Sequence, residues 1–255
     1  MLRCRVIPSL LLDDGGLYKT RRFEKPVYVG DPINAIRIFN EKEVDELMVL
    51  DIGASKARRA PDYALIEQFA GECFMPLCYG GAVRTVDDAQ RLFAMGVEKV
   101  CVQTGALSDL SLVKGIADRF GSQAVVVSCD VKRGWLGGRS LYAAASGKSD
   151  KRSWQEFARA AVDAGAGEIM VTAVDRDGEM KGMDNDLIRE AAAMLPVPLI
   201  AAGGVGSLAD IGAAAEAGAS AVAVGAFFVF HGPHRAVLIT YPRYDELRNL
   251  LEKKR

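Results

Sequence analysis

Two stretches of the chain are near-copies of one another, 122 residues apart. Pro76-Leu77-Cys78-Tyr79-Gly80-Gly81-Ala82-Val83 runs over Pro198-Leu199-Ile200-Ala201-Ala202-Gly203-Gly204-Val205. Each is followed by a helical pattern, and then Gly96-Val97-Glu98-Lys99-Val100-Cys101-Val102 runs over Gly218-Ala219-Ser220-Ala221-Val222-Ala223-Val224. The same offset pairs Glu46 with Glu168. The period is too long for a solenoid unit, and each half has room for about four strand–helix pairs. Two such halves make eight. The expected fold class is therefore α/β, a single (β/α)8 TIM barrel built from two duplicated half-barrels, roughly residues 1–122 and 123–255.

A chain of 255 residues suits one such barrel, and its 50% apolar content can fill the core. Lys and Arg number 32 against 33 Asp and Glu, so no global charge draws nucleic acid or an anionic membrane. No apolar run approaches the length of a membrane span. The opening Met1-Leu2-Arg3-Cys4-Arg5 lacks the apolar stretch of a secretion signal. The five cysteines (Cys4, Cys73, Cys78, Cys101, Cys129) form no CxxC pair and read as reduced thiols. A cytoplasmic protein is expected.

Short β-branched runs alternate with alanine-rich helical patterns, which predicts a parallel sheet. The strands are expected at 4–10, 46–51, 75–79, 99–103, 124–130, 168–174, 198–202 and 221–225. Thr85 and Ser207 stand as helix caps with Asp88 and Asp210 three residues on, and Gly96 and Gly218 close those helices. Two segments read as irregular loops: Asp13 to Pro32, carrying Lys19, Arg21 and Arg22, and Arg133 to Arg152.

Chemistry in such barrels sits at the carboxyl ends of the strands. Gly203-Gly204 ends one strand and Gly225-Ala226 the next, and small residues there let backbone N–H groups approach a phosphate. A phosphorylated small molecule is the expected ligand; the alternative is that these glycines only make tight turns. Gly81-Ala82 and Gln103-Thr104 form a weaker copy, because the Ala82 side chain blocks close approach. Asp130 ends the fifth strand, placed either for acid–base work or for an ion pair with Lys132 or Arg133. Asp177-Gly178 follows the sixth strand, either as a substrate contact or as a simple turn. His231 and His234 have no Cys or carboxylate at ligand spacing, so neither a metal site nor a cofactor is expected.

At the opposite end Arg5, Glu46, Lys99 and Glu168 each open a strand where apolar residues would normally lead. They could form a charged barrel floor of alternating sign or a solvated salt-bridge cluster of small stabilising value.

Along nearly its whole length the chain resembles the cyclase subunit of imidazole glycerol phosphate synthase. The resemblance runs through Gly30-Asp31-Pro32, Asp45-Glu46-Leu47, Phe120-Gly121-Ser122-Gln123, Gly165-Ala166-Gly167-Glu168-Ile169 and Asp175-Arg176-Asp177-Gly178. It implies a glutaminase partner docked on the amino-terminal face of the barrel, with ammonia crossing to the substrate through a gate of four charged residues. Those four match Arg5, Glu46, Lys99 and Glu168. The resemblance further implies a catalytic role for Asp130, a lysine of a mobile first loop at Lys19, and one phosphate grip at Asp177, Gly178, Gly203, Gly204 and Gly225.

Several positions depart from the family. Leu11 stands where its second catalytic aspartate belongs, and a leucine neither donates nor accepts a proton. Ala82 and Gln103 replace the glycine and asparagine of the second phosphate grip, and Glu179 replaces a threonine. The segment Phe228 to Pro242 is similar instead to paralogues associated with sugar amidation in surface-polysaccharide clusters. Three functions therefore compete: an ammonia-conducting subunit serving a separate sugar amidotransferase, a working cyclase (a lyase of histidine biosynthesis), and a stand-alone sugar-phosphate isomerase. The intact floor disfavours the last, and Leu11 disfavours the second.

Overall fold

The computed structural model describes residues 4–134 and 137–252. The barrel strands are β1 (Arg5–Asp13), β4 (Leu47–Asp51), β5 (Leu77–Gly80), β6 (Lys99–Val102), β7 (Val125–Arg133), β10 (Glu168–Ala173), β11 (Leu199–Ala202) and β12 (Ala221–Val224). Each pairs in parallel with the next in that order, and β12 returns to β1 with Arg5 opposite Ala221. The sheet thus closes into an eight-stranded barrel, which leaves these strands no free edge. Around it run α1 (Pro32–Glu41), α2 (Tyr63–Glu72), α3 (Val86–Ala94), α4 (Thr104–Ser108), α5 (Ser111–Phe120), α6 (Trp154–Asp163), α7 (Asn185–Met194), α8 (Leu208–Glu216), α9 (Ala226–Val229) and α10 (Tyr244–Glu252).

The 122-residue repeat is visible in the register. Cys78 lies opposite Lys99 and Tyr79 opposite Val100 in one half; Ile200 lies opposite Ala221 and Ala201 opposite Val222 in the other. Capping boxes at Thr85/Asp88 and Ser207/Asp210 start α3 and α8. Left-handed Gly96 (φ 103°) and Gly218 (φ 108°) follow them, a conformation that L side chains resist.

Among the described residues, both segments expected to be irregular contain paired strands. After β1 the chain turns at Asp14-Gly15 into β2 (Gly16–Arg21), which pairs antiparallel with β1 and with β3 (Glu24–Gly30). In the second segment β7 is prolonged past Asp130 and pairs with β8 (Arg139–Ala143), which pairs with β9 (Lys148–Ser149); Trp135 and Leu136 lie outside the described residues. Both loops are sheet extensions, because a strand that leaves the barrel keeps its unpaired N–H and C=O groups and a hairpin satisfies them. The tail adds one more, β13 (Phe230–His231) with β14 (Ala236–Val237).

Core packing lies mainly between strands and helices. Phe39, Phe69, Trp154 and Phe157 are each at most 1% exposed there. Trp154→Ala is expected to cost about 3–5 kcal/mol by leaving a cavity. Trp154→Phe is expected to cost only about 1 kcal/mol, because it also removes a buried indole N–H that has no partner. Urea unfolding of the two variants checks the ordering. Among the described residues no helix is long and apolar enough to cross a membrane.

Candidate functional site

Side chains alternate across a strand, so every second residue of a barrel strand faces the axis. On β1 these are Arg5 at the floor, Ile7 in an inner layer, then Ser9 and Leu11 at the top. The inner layer is apolar: Ile7, Met48, Cys78, Cys101, Val126, Met170, Ile200, Ala221 and Ala223 pack on one another. Above it, at the carboxyl ends of the strands, opens a cavity of about 210 Å³. Asp130, Leu11, Lys19, Asp177 and Gly178 all line it, as do Gly203, Gly204, Gly225 and Ala226 and the weaker set Gly81, Ala82, Gln103 and Thr104. Residues far apart in sequence thus share one chamber.

Asp130 is 5% exposed and, among the described residues, is not ion-paired with Lys132 or Arg133. Lys132 lies instead over the Tyr142 ring, and Arg133 lies 3.7 Å from Asp184. The Asp130 carboxylate accepts from Ser128 Oγ at 3.0 Å and from Gln103 Nε2 at 2.5 Å. Burial pushes its pKa up to about 6, against the pull of these bonds and one from Thr172. It can therefore give or take a proton near neutral pH. Asp177 is raised to about 6 as well by burial, with Lys19 and Thr20 opposing. Thr20 Oγ1 donates to Asp177 Oδ2 at 3.3 Å.

Lys19 is not on a loose loop. It belongs to β2, is 5% exposed, and its Nζ donates to Ser9 O at 2.5 Å. Burial lowers its pKa to about 8, with Asp177 opposing. A Cβ added at Gly225 would sit 3.1 Å from that ammonium, a tight approach that glycine avoids. Gly203 (φ 91°) and Gly204 (φ 105°) are left-handed, and a Cβ on Gly203 would lie 2.6 Å from Ala173 O. The hairpin tip beyond Lys19 is fastened down: Arg22 N–H donates to Asp177 O at 2.9 Å and Arg22 Nε lies 3.3 Å from Glu179. Phe23 sits 6.1 Å from Tyr142 of β8, so the two hairpins meet over the cavity. The tail reaches the same rim, where Arg235 Nη2 donates to Gly178 O at 2.5 Å.

At the floor the four charges form a closed ring. Arg5 donates through Nη1 to Glu46 Oε2 and through Nη2 to Glu168 Oε2 at 2.9 Å. Lys99 Nζ donates to the same Glu46 oxygen at 2.9 Å and to Glu168 Oε1 at 3.1 Å. Burial disfavours the Lys99 ammonium, but the Glu46 and Glu168 carboxylates outweigh it and hold its pKa above the ordinary value. The Glu46 side chain is 2% exposed, and its Oε1 is buried without a hydrogen-bond partner.

Asp51 is the cavity residue that sequence reasoning missed. It is 5% exposed, accepts from Gly53 N at 3.0 Å and Ala54 N at 2.8 Å, and burial holds its carboxyl above the usual range. The signal was present, because Leu47-Met48-Val49-Leu50-Asp51 ends on an aspartate just as the fifth strand does. Among the described residues the five cysteines are free thiols, and no cluster of His, Cys, Asp or Glu is arranged to hold a metal.

A family model described as histidine biosynthesis protein matches residues 5–234. A Pseudomonas aeruginosa protein named "Putative imidazole glycerol phosphate synthase subunit hisF2" is 55% identical over 248 residues, 97% of this chain and 99% of that protein. A Vibrio vulnificus protein of the corresponding name, hisF3, is 43% identical and covers 99% of this chain and 98% of its own length. The imidazole glycerol phosphate synthase subunit HisF of Streptomyces griseus is 38% identical over 90% of this chain and 91% of its own. A closed barrel, a cavity at its carboxyl end and these similarities agree: the chain belongs to the histidine biosynthesis protein family, among the HisF-type cyclase subunits of imidazole glycerol phosphate synthase.

Proposed function

We propose that this chain is the ammonia-receiving subunit of a glutamine amidotransferase complex and has little cyclase activity of its own. The carrying observation is the pairing of a complete floor ring with Leu11 at the top. A glutaminase docked on the amino-terminal face would release ammonia against Arg5, Glu46, Lys99 and Glu168. The unpartnered Glu46 Oε1 offers an acceptor for an entering N–H. The apolar layer above suits neutral ammonia and rejects ammonium, since an unpaired buried cation costs several kcal/mol. A ring closed by four ion pairs must part to let ammonia through. We place the final acceptor on a separate sugar amidotransferase acting on a nucleotide sugar of surface-polysaccharide synthesis. The Phe228–Pro242 segment and the numbered names hisF2 and hisF3 of two relatives support an additional copy beside the histidine-pathway enzyme. The test is nitrogen transfer from glutamine compared with ammonium chloride in the reconstituted three-protein system. No binding to any glutaminase would remove the case.

In this reading Gly204, Gly225 and Lys19 grip a phosphate, and Asp130 faces the ligand. The Lys19 pKa of about 8 gives a sign to check with sulfate, whose charge does not change near neutrality. Sulfate affinity is expected to fall about tenfold as pH rises from ~7 to ~9 and the ammonium discharges. Stability runs the other way. The folded pKa of about 8 lies below the unfolded value of 10.5, so the unfolded chain binds more protons between them and this group favours folding more as pH rises through that window. Calorimetric titration and urea unfolding across the range check both slopes. A flat sulfate profile would remove Lys19 from the grip.

A further inference from the structure

The 122-residue offset makes each half of the cavity a control for the other. Gly204 corresponds to Ala82, Gly225 to Gln103, Asp177 to Ser55 and Ala173 to Asp51. In the second half Gly225 carries no side chain of its own, and a Cβ there would lie 3.1 Å from the Lys19 ammonium. In the first half two of the corresponding donors are engaged within the protein. Ala82, left-handed at φ 54°, directs its N–H to Ser55 Oγ at 3.2 Å. Gln103 Nε2 donates to Asp130 Oδ2 at 2.5 Å and to Tyr142 O at 3.2 Å, while its Oε1 accepts from Ala144 N at 3.1 Å. Both amide hydrogens and one acceptor position are spent.

The charges diverge in the same sense. Asp51 sits under the first-half loop, where a Cβ on Gly81 would lie 2.7 Å from Asp51 Cβ, and the second half has Ala173 there. Asp130 flanks the same end through Gln103. An anion entering the first half would meet the Asp51 and Asp130 carboxylates, with the Ala82 N–H and the Gln103 amide already engaged, an arrangement that disfavours it. The cations on this side are Lys56 and Arg84, which line the cavity, and Arg59, which lies 3.9 Å from Asp51 and is taken up by it.

We propose that the cavity takes a ligand with a single phosphate-type anion, and that Gln103 and Ser55 set this specificity by closing the first-half grip. The inference rests on the anion grip of the reading above. The far end of the ligand is an uncharged or donor-rich group facing Asp51 and Asp130. Gln103 is also a positioning residue, since one amide ties β6 to Asp130 and to β8 over the cavity.

The test is calorimetric titration of the full chain with inorganic phosphate, fructose 6-phosphate and fructose 1,6-bisphosphate. Native protein is expected to bind one phosphate and to prefer the bisphosphate by no more than about threefold. Ala82→Gly with Gln103→Asn, which opens the loop and shortens the amide, is expected to prefer the bisphosphate by about tenfold or more. Ser55→Ala frees the Ala82 N–H without touching Gln103, and it serves if the double variant does not fold; its preference should rise in the same direction. Two phosphate sites in the native protein, or a native bisphosphate preference of about tenfold, would overturn the inference. Loss of that preference in Lys56→Ala/Arg84→Ala would assign the second anion to the rim instead. Unchanged single-site binding in both variants would remove the role of Gln103 and Ser55. If no form binds phosphate, the anion grip falls with this inference, while the ammonia reading stands or falls on the floor ring alone.

Discussion

Supplied with the cyclase substrate and ammonium salts, the purified chain is expected to turn over about 10²–10⁴-fold more slowly than a cyclase that has both acids. Ring closure with a proton donated and another removed needs two positioned groups. Asp130, with a pKa of about 6 and two close hydrogen bonds, can fill one role. Leu11, which sits in register opposite Leu50 and Tyr18, can fill neither. Leu11→Asp should recover part of the rate and cost about 1–3 kcal/mol, because it places a carboxylate on an apolar inward position. Leu11→Asn has almost the same shape but no transferable proton, so recovery should be absent. Rates from the three proteins, with urea unfolding alongside, decide the matter. Native turnover equal to that of a true cyclase would overturn the reading, and so would equal recovery by Asp and Asn.

Most of the barrel was legible because its signals are local. Apolar runs mark the strands, Thr85 and Ser207 mark helix starts, and a constant offset marks the duplication. Arg5, Glu46, Lys99 and Glu168 could be singled out because a charge leading a buried strand is out of place. What stayed hidden depends on partners distant in sequence. Lys19 looks like a solvated loop lysine until β2 folds back on β1 and carries it to Ser9 and Gly225. Gln103 reads as a mere departure from the family's asparagine and from Gly225 of the second half. Its function as a lock exists only because Asp130, Tyr142 and Ala144 converge on it. The Asp13–Pro32 hairpin was masked by the glycines and charges of its turns, which resemble loop composition although Leu17 and Lys19 alternate inward. Asp51 differs from these: it ends an apolar strand just as Asp130 does, so its signal is local.

Replacing Lys99 by Met should separate a gate from a brace. Methionine keeps the unbranched stem and removes the ammonium, so Glu46 and Glu168 are left sharing Arg5 alone. On either reading the protein loses stability, by about 1–3 kcal/mol, since two carboxylates at most 12% exposed each lose an ion-pair partner. Melting alone therefore cannot discriminate. Transfer can. On the proposed reading, ammonia released by a docked glutaminase crosses the floor, whereas ammonium chloride added in bulk reaches the acceptor from outside. If the ring gates ammonia, the variant should change glutamine-driven amidation by about tenfold and leave ammonium-driven amidation within about twofold of native. Lys114→Met is the matched control: it removes an ammonium from an exposed i,i+4 pair with Asp118, far from the axis, and should alter neither nitrogen source. Equal effects of Lys99→Met on both sources would leave the ring a structural cluster. The sign of the glutamine effect carries further information. Faster transfer would mean that Lys99 holds the ring shut, because the floor would then have lost two of its four ion pairs. Slower transfer would mean that the ammonium itself helps to draw ammonia onto the Glu46 side of the ring.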